Sequence, residues 1–199
     1  MNPKDTNLVI SSDDIQFISD KNHIKRKLML LDTISNRLIS LNDQLKDQSR
    51  NWKLAAQYLT TAGKISKGEN HNGYPYLVLD YPRNFQQSNI FAFRNLFWWG
   101  NFYSSTLHIC GIEQKRLAER ILSKKEILID NRFMINRIGS KWDNTIDSYM
   151  NIANVENFED YIIDQVEKGN SIRFMRILDL NNINQLESFT LTNSEILFS

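Results

Sequence analysis

Apolar or aromatic residues recur at every seventh position from the N-terminal end of the chain: Ile10, Phe17, Ile24, Leu31, Leu38, Leu45, Trp52 and Leu59. A second register, three residues on, holds Ile34, Leu41, Ala55 and Ala62 and is broken by Lys27 and Gln48. Together they form an amphipathic helical stripe, strongest over residues 24–45. Gly63 suits the far end, since only glycine takes the left-handed cap conformation without steric cost. Two arrangements are open. The polar run at residues 47–51 can fold the stripe into a helical hairpin or kinked core helix, with Asn51 as second cap. Alternatively one long helix of roughly 60 Å, at 1.5 Å per residue, pairs with a second copy through Leu31, Ile34, Leu38, Leu41 and Leu45.

After Gly63 the period changes to that of strands. Residues 64–67, a polar loop over 68–73 and the apolar run 76–79 predict a hairpin that Pro82 ends, because proline cannot donate to a ladder. Residues 90–110, IFAFRNLFWWGNFYSSTLHIC, split at Gly100-Asn101 into two further strands. The expectation is an antiparallel meander of about four strands. Downstream, residues 112–123 have a helical pattern, and Asp130-Asn131 marks either a hairpin turn within 126–135 or the continuation of that helix through Ile129. Helices are expected over 142–152 and 155–168, the latter capped by Asn154 and stopped by Gly169, and again from Ser171 onward. The fold class is therefore α+β: an N-terminal long helix or helical hairpin, a central antiparallel meander, and C-terminal helices packed on one sheet face. A single domain spans 1–199, with residues 1–20 open to being a flexible N-terminal segment.

Composition narrows the partners. The 199 residues carry 24 Lys plus Arg against 23 Asp plus Glu, which argues against nucleic acid as the main partner because phosphate neutralisation needs clustered excess cation. The clusters Lys25-Arg26-Lys27 and 115–125 are interleaved with leucines and read as solvated helix faces. The lone Cys110 leaves no disulfide framework and no multi-cysteine zinc site. With no apolar leader-like run and no eighteen consecutive apolar residues, the reading is a cytoplasmic protein with no membrane partner. No cofactor and no metal site is expected.

The candidate chemistry is sparse. No phosphate loop, nucleophile elbow or zinc motif occurs. His108 and Cys110 lie two apart on one predicted strand and so share a face, a weak candidate for a catalytic pair, with Asp80 or Glu113 as the carboxylate. Glu113 and Lys115 also have the spacing of a nuclease E-x-K, but at the start of a helix, where the dipole and solvation explain them. His71 with Glu69 sits in the polar loop, which solvation of its backbone accounts for. Seven aromatic rings crowd residues 91–103. Strand alternation sends Phe91, Phe93, Phe97 and Trp99 to one face and Trp98 to the other, beside Arg94 and Leu96 and with Phe102 or Tyr103. Arg94, Trp98 and Tyr103 are thus the candidate ligand or interface residues, with an Arg94–Trp98 cation–π pair expected. Two functions are in view: a non-catalytic homodimer acting through protein contacts, and a small-molecule-binding protein or enzyme whose pocket lies between Trp98, Tyr103, His108 and Cys110 and the helices.

Overall fold

The computed structural model describes residues 9–52, 58–86, 89–111, 114–137 and 145–199. The chain opens with helix α1, Ser12–Ser19. Ser11 caps it reciprocally: its hydroxyl accepts from the Asp14 N–H (3.1 Å), and the Asp14 carboxylate accepts from the Ser11 N–H (3.0 Å). Asp20 then breaks the helix and caps the next one, accepting from the Asn22 N–H at 2.8 Å. Helix α2, Lys21–Ser49, is one continuous element, about 43 Å long at 1.5 Å per residue. It ends at residues 47–51, where the polar run predicts a turn. Whether a second helix follows concerns Ala55 and its neighbours, which lie outside the described residues.

The sheet has seven strands rather than about four, in the order β1-β2-β3-β4-β7-β5-β6, with every pair antiparallel. The expected meander is its first half: β1 (Lys64–His71), β2 (Tyr74–Gln86), β3 (Asn89–Trp98) and β4 (Phe102–Cys110). The β1–β2 turn narrows to Asn72 and Gly73, at φ +51° and +88°, the pair of left-handed residues that a two-residue hairpin requires. Pro82 does not end β2. The β2–β3 ladder shifts register between Asp80 and Arg83, and this irregularity accommodates a residue with no N–H to give. The β3–β4 loop turns at Gly100 (φ +71°), with the Asn101 N–H donating to the Trp98 carbonyl at 3.0 Å.

The second half departs further from expectation. Helix α3 (Gln114–Leu122) is followed by a separate helix α4 (Lys125–Asp130), so Asp130-Asn131 terminates a helix and turns no hairpin. Two three-residue strands come next, β5 (Met134–Asn136) and β6 (Tyr149–Asn151). The latter stands where the pattern predicts a helix, whose start at Trp142 lies outside the described residues. Helix α5 (Phe158–Glu167) is capped by Asn157 instead of Asn154, and Gly169, at φ +64°, lies just past its end. From Ser171 the chain forms strand β7 (Ile172–Leu178) before helix α6 (Leu186–Phe198).

The helices gather on one sheet face. Leu38, Leu41 and Leu45 of α2, Leu117 and Ile121 of α3, Phe158 and Ile162 of α5, and Leu197 and Phe198 of α6 enclose Leu79, Phe91, Phe93, Leu107, Ile109 and Phe174 in one core cluster. At roughly 25 cal/mol per Å² of apolar surface, burial of this set is the main stabilising term. Among the described residues, no helix is long and apolar enough to cross a membrane.

Candidate functional site

Each candidate side chain can be followed from its strand position to its surroundings. Alternation along β3 and β4 holds: Phe91, Phe93 and Phe97 belong to the helix-covered core, whereas Leu96, Trp98 and Phe102 form a second cluster with Val78 on the opposite face. Within a single chain these four are only 4–7% exposed (Val78 7%, Leu96 4%, Trp98 6%, Phe102 4%). The second face is therefore buried without a partner copy or a flat ligand. Trp98 meets Phe102 edge-on at 5.4 Å, and its indole N–H donates to the His71 carbonyl at 2.9 Å. Tyr103 points the other way. It is wholly buried in the core, its hydroxyl 2.7 Å from the Thr190 hydroxyl of α6, and burial pushes its phenol far above the ordinary value. Its assignment as an accessible ligand or interface residue is thereby corrected.

Arg94 shares a face with Trp98 but takes other partners. Its Nε and Nη2 grip the Asp80 carboxylate at 2.8 and 2.9 Å, and its guanidinium lies 5.4 Å from the Phe85 ring centroid. A buried carboxylate demands such a bidentate cation, and the aromatic face of Phe85 is the cation–π partner in place of Trp98. His108 and Cys110 do share a face and are both 5% exposed. The thiol donates to the Gly169 carbonyl at 3.9 Å, and Asp80 is already engaged by Arg94. Glu113, the other carboxylate of that reading, lies outside the described residues. Along the same sheet face the register places His108 beside Arg173, whose guanidinium lies 5.1 Å from the Tyr149 ring and whose N–H donates to Asn136 Oδ1 at 2.7 Å. His108 and Arg173 are thus buried polar side chains packed along one sheet face, 5% and 2% exposed. Among the described residues, no three His, Cys, Asp or Glu side chains converge as a metal site would require.

The helical stripe divides in two. Ile34, Leu38, Leu41 and Leu45 are 0–7% exposed, covered by the chain's own sheet and α6. As dimer-interface residues they are corrected to core residues, because a side chain already enclosed has no surface left to give. Leu31 is half-buried at the margin. N-terminal to it the stripe is uncovered. Val9, Ile10, Ile15, Phe17, Ile18, Ile24, Leu28, Met29 and Leu30 are 41–88% exposed, and α1 buries no residue at all. The first tie to the body is the Lys27–Glu69 ion pair at 2.8 Å. Residues 9–26 thus form an arm standing off the domain.

The arm carries six exposed large apolar side chains, and the seven-residue spacing points to it only in part. Ile10, Phe17 and Ile24 belong to that spacing, but Val9, Ile15 and Ile18 fall off it. Its charges are segregated: Asp13 and Asp14 lie in α1, while Lys21, Lys25, Arg26 and Lys27 open α2. A groove of about 410 Å³ runs between α3 and α5, lined by Ala118, Leu122, Ile162 and Val166 among others. No protein-family model, no curated protein and no solved structure matches this chain.

Proposed function

We propose that this protein acts through protein contacts and not by catalysis, as a homodimer joined by its N-terminal helical arm. The observation that carries the reading is the exposure of nine large apolar side chains over residues 9–30. Contiguous apolar surface on that scale is rare on a monomer and marks an interaction surface. A short helix such as α1 is also marginal in water without something to pack on.

A second copy is the occupant that suits the arm's charges. In a two-fold interface the same patch meets itself antiparallel. With the axis near Asp20, α1 of one protomer lies along the first turns of α2 in the other. Asp13 and Asp14 then face Lys25 and Arg26, and the apolar residues of the two arms interleave. The stripe that α2 buries in its own core runs on along the chain toward this seam through Ile24 and, beyond the break at Asp20, Phe17.

Light scattering on the full chain at tens of micromolar tests it. The expected mass is twice the 23.4 kDa of one chain. Ile24→Asp combined with Leu28→Asp changes only exposed positions, so the fold persists and the mass falls to that of a monomer. Wild-type protein that stays monomeric, or a dimer indifferent to this pair of changes, overturns the proposal. So does a monomer that sediments with anionic phospholipid vesicles through the same two residues.

A further inference from the structure

Helix α4 ends in a paired carbonyl cap. The Phe133 N–H donates to the Leu128 carbonyl and the Arg132 N–H to the Ile129 carbonyl, each at 2.9 Å. This motif forces the intervening residue into the left-handed region, where glycine is the default. Here Arg132 stands at φ +57°. An arginine side chain does nothing for the cap itself.

Arg132 lines a cleft of about 560 Å³ together with Arg176, Met134, Leu178 and Phe189. The Arg176 guanidinium is 5.1 Å from the Phe189 ring and 6.0 Å from the Phe133 ring, and its Nη1 donates to Asn193 Oδ1 at 2.8 Å. These partners are neutral. Neither Arg132 nor Arg176 has an ion-pair partner among the described residues. Desolvation, and then the charge of Arg132, lower the pKa of Arg176. Asp179 also lines the cleft, but its carboxylate accepts from the Asn181 N–H at 2.7 Å and caps the turn Leu180–Gln185. Two cations therefore share a partly apolar cleft of the size that small molecules occupy, and neither is ion-paired to the one carboxylate on its wall.

We propose that this cleft binds a small organic anion, its carboxylate or phosphate head between Arg132 and Arg176 and its apolar body against Phe189 and Leu178. A guanidinium offers paired donors that fit either head group, and both arginines gain the counter-charge the chain withholds. The cleft is separate from the arm, so the inference stands apart from the dimer.

Thermal unfolding of the full chain tests it, with phenyl phosphate, benzoate and inorganic phosphate each compared with chloride at equal ionic strength. Phenyl phosphate or benzoate is expected to raise Tm above the chloride control, because a ligand that binds only the folded state stabilises by mass action. Which of the two protects more identifies the head group. Protection is lost in Arg176→Gln and in Arg132→Gly, and unliganded Arg132→Gly melts roughly 2–4 °C higher than wild type as its backbone strain is relieved. Equal protection of wild type and Arg132→Gly, or no protection beyond chloride from any of the three, overturns the proposal. Inorganic phosphate protecting as well as phenyl phosphate refutes the apolar half of the site.

Discussion

Leu38 and Ile24 occupy the same position of the seven-residue repeat, yet one is wholly buried and the other 61% exposed. Both are four-carbon aliphatic side chains, so the energetic difference lies chiefly in what covers them. Leu38→Ala removes packed methyl groups and leaves a cavity, and it should cost about 2–5 kcal/mol in urea unfolding. Ile24→Ala at the exposed site should stay within about 0.5 kcal/mol at a concentration where the chain is monomeric. A small effect at Leu38 would mean that the α2 face is not core. The same contrast of access governs Cys110. Only 5% exposed, its thiol should react with an aromatic disulfide reagent slowly in the native protein and fully once unfolded. Fast native labelling would restore the candidate nucleophile.

At the scale of elements, what the pattern reveals follows how local the pairing is. The first four strands are sequence neighbours joined by turns that carry Gly73 and Gly100, and alternation sorts Phe93 from Trp98 correctly. Strands β5 and β6, three residues each, are too short to show any period. Strand β7 misleads for a different reason. Arg173 and Arg176 stand three apart and resemble the solvated face of a helix, but one is 2% exposed beside Tyr149 and the other lies between Phe133 and Phe189. A strand buried on both faces loses its alternation, and an arginine shielded by aromatic rings gives the wrong sign to a polarity pattern. Asp130-Asn131 shows a similar ambiguity, since the residues that favour a hairpin turn also occur where helices stop; here Asn131 caps α4 at φ −88° and the left-handed position falls on Arg132. The candidate site was legible as faces and not as partners. Residue spacing puts Arg94 beside Trp98, but only the register of β2 against β3 sets Asp80 opposite Arg94 and so selects the salt bridge.

For the whole molecule, α2 is the beam that joins arm to body, and its attachment to α6 carries a pH dependence. Arg37 donates through Nε to Glu187 Oε1 at 2.7 Å and through Nη2 to the other carboxylate oxygen, and also reaches the Ile183 and Asn184 carbonyls at 3.2 and 2.9 Å. The hydrogen bonds from Arg37 hold the Glu187 carboxyl below its ordinary value. The unfolded chain therefore binds this proton first on acidification. The contribution is whole above the unfolded carboxylate pKa of about 4.3 and is lost as pH falls through the folded value. Tyr103 has the opposite sign. Burial raises its phenol, so above the unfolded value of about 10 the unfolded chain has released a proton that the folded chain keeps, and stability falls as pH rises further. Urea midpoints measured across pH at one protein concentration, held fixed because dimerisation couples to unfolding, should decline at both ends. Glu187→Gln should flatten the acid limb and Tyr103→Phe should make the alkaline limb shallower, with some slope left by Tyr161, whose phenol burial also raises. An unchanged acid limb in Glu187→Gln would show that the Arg37–Glu187 ion pair adds nothing measurable to the docking of α2, leaving its apolar face and the bonds from Arg37 to the Ile183 and Asn184 carbonyls to hold it.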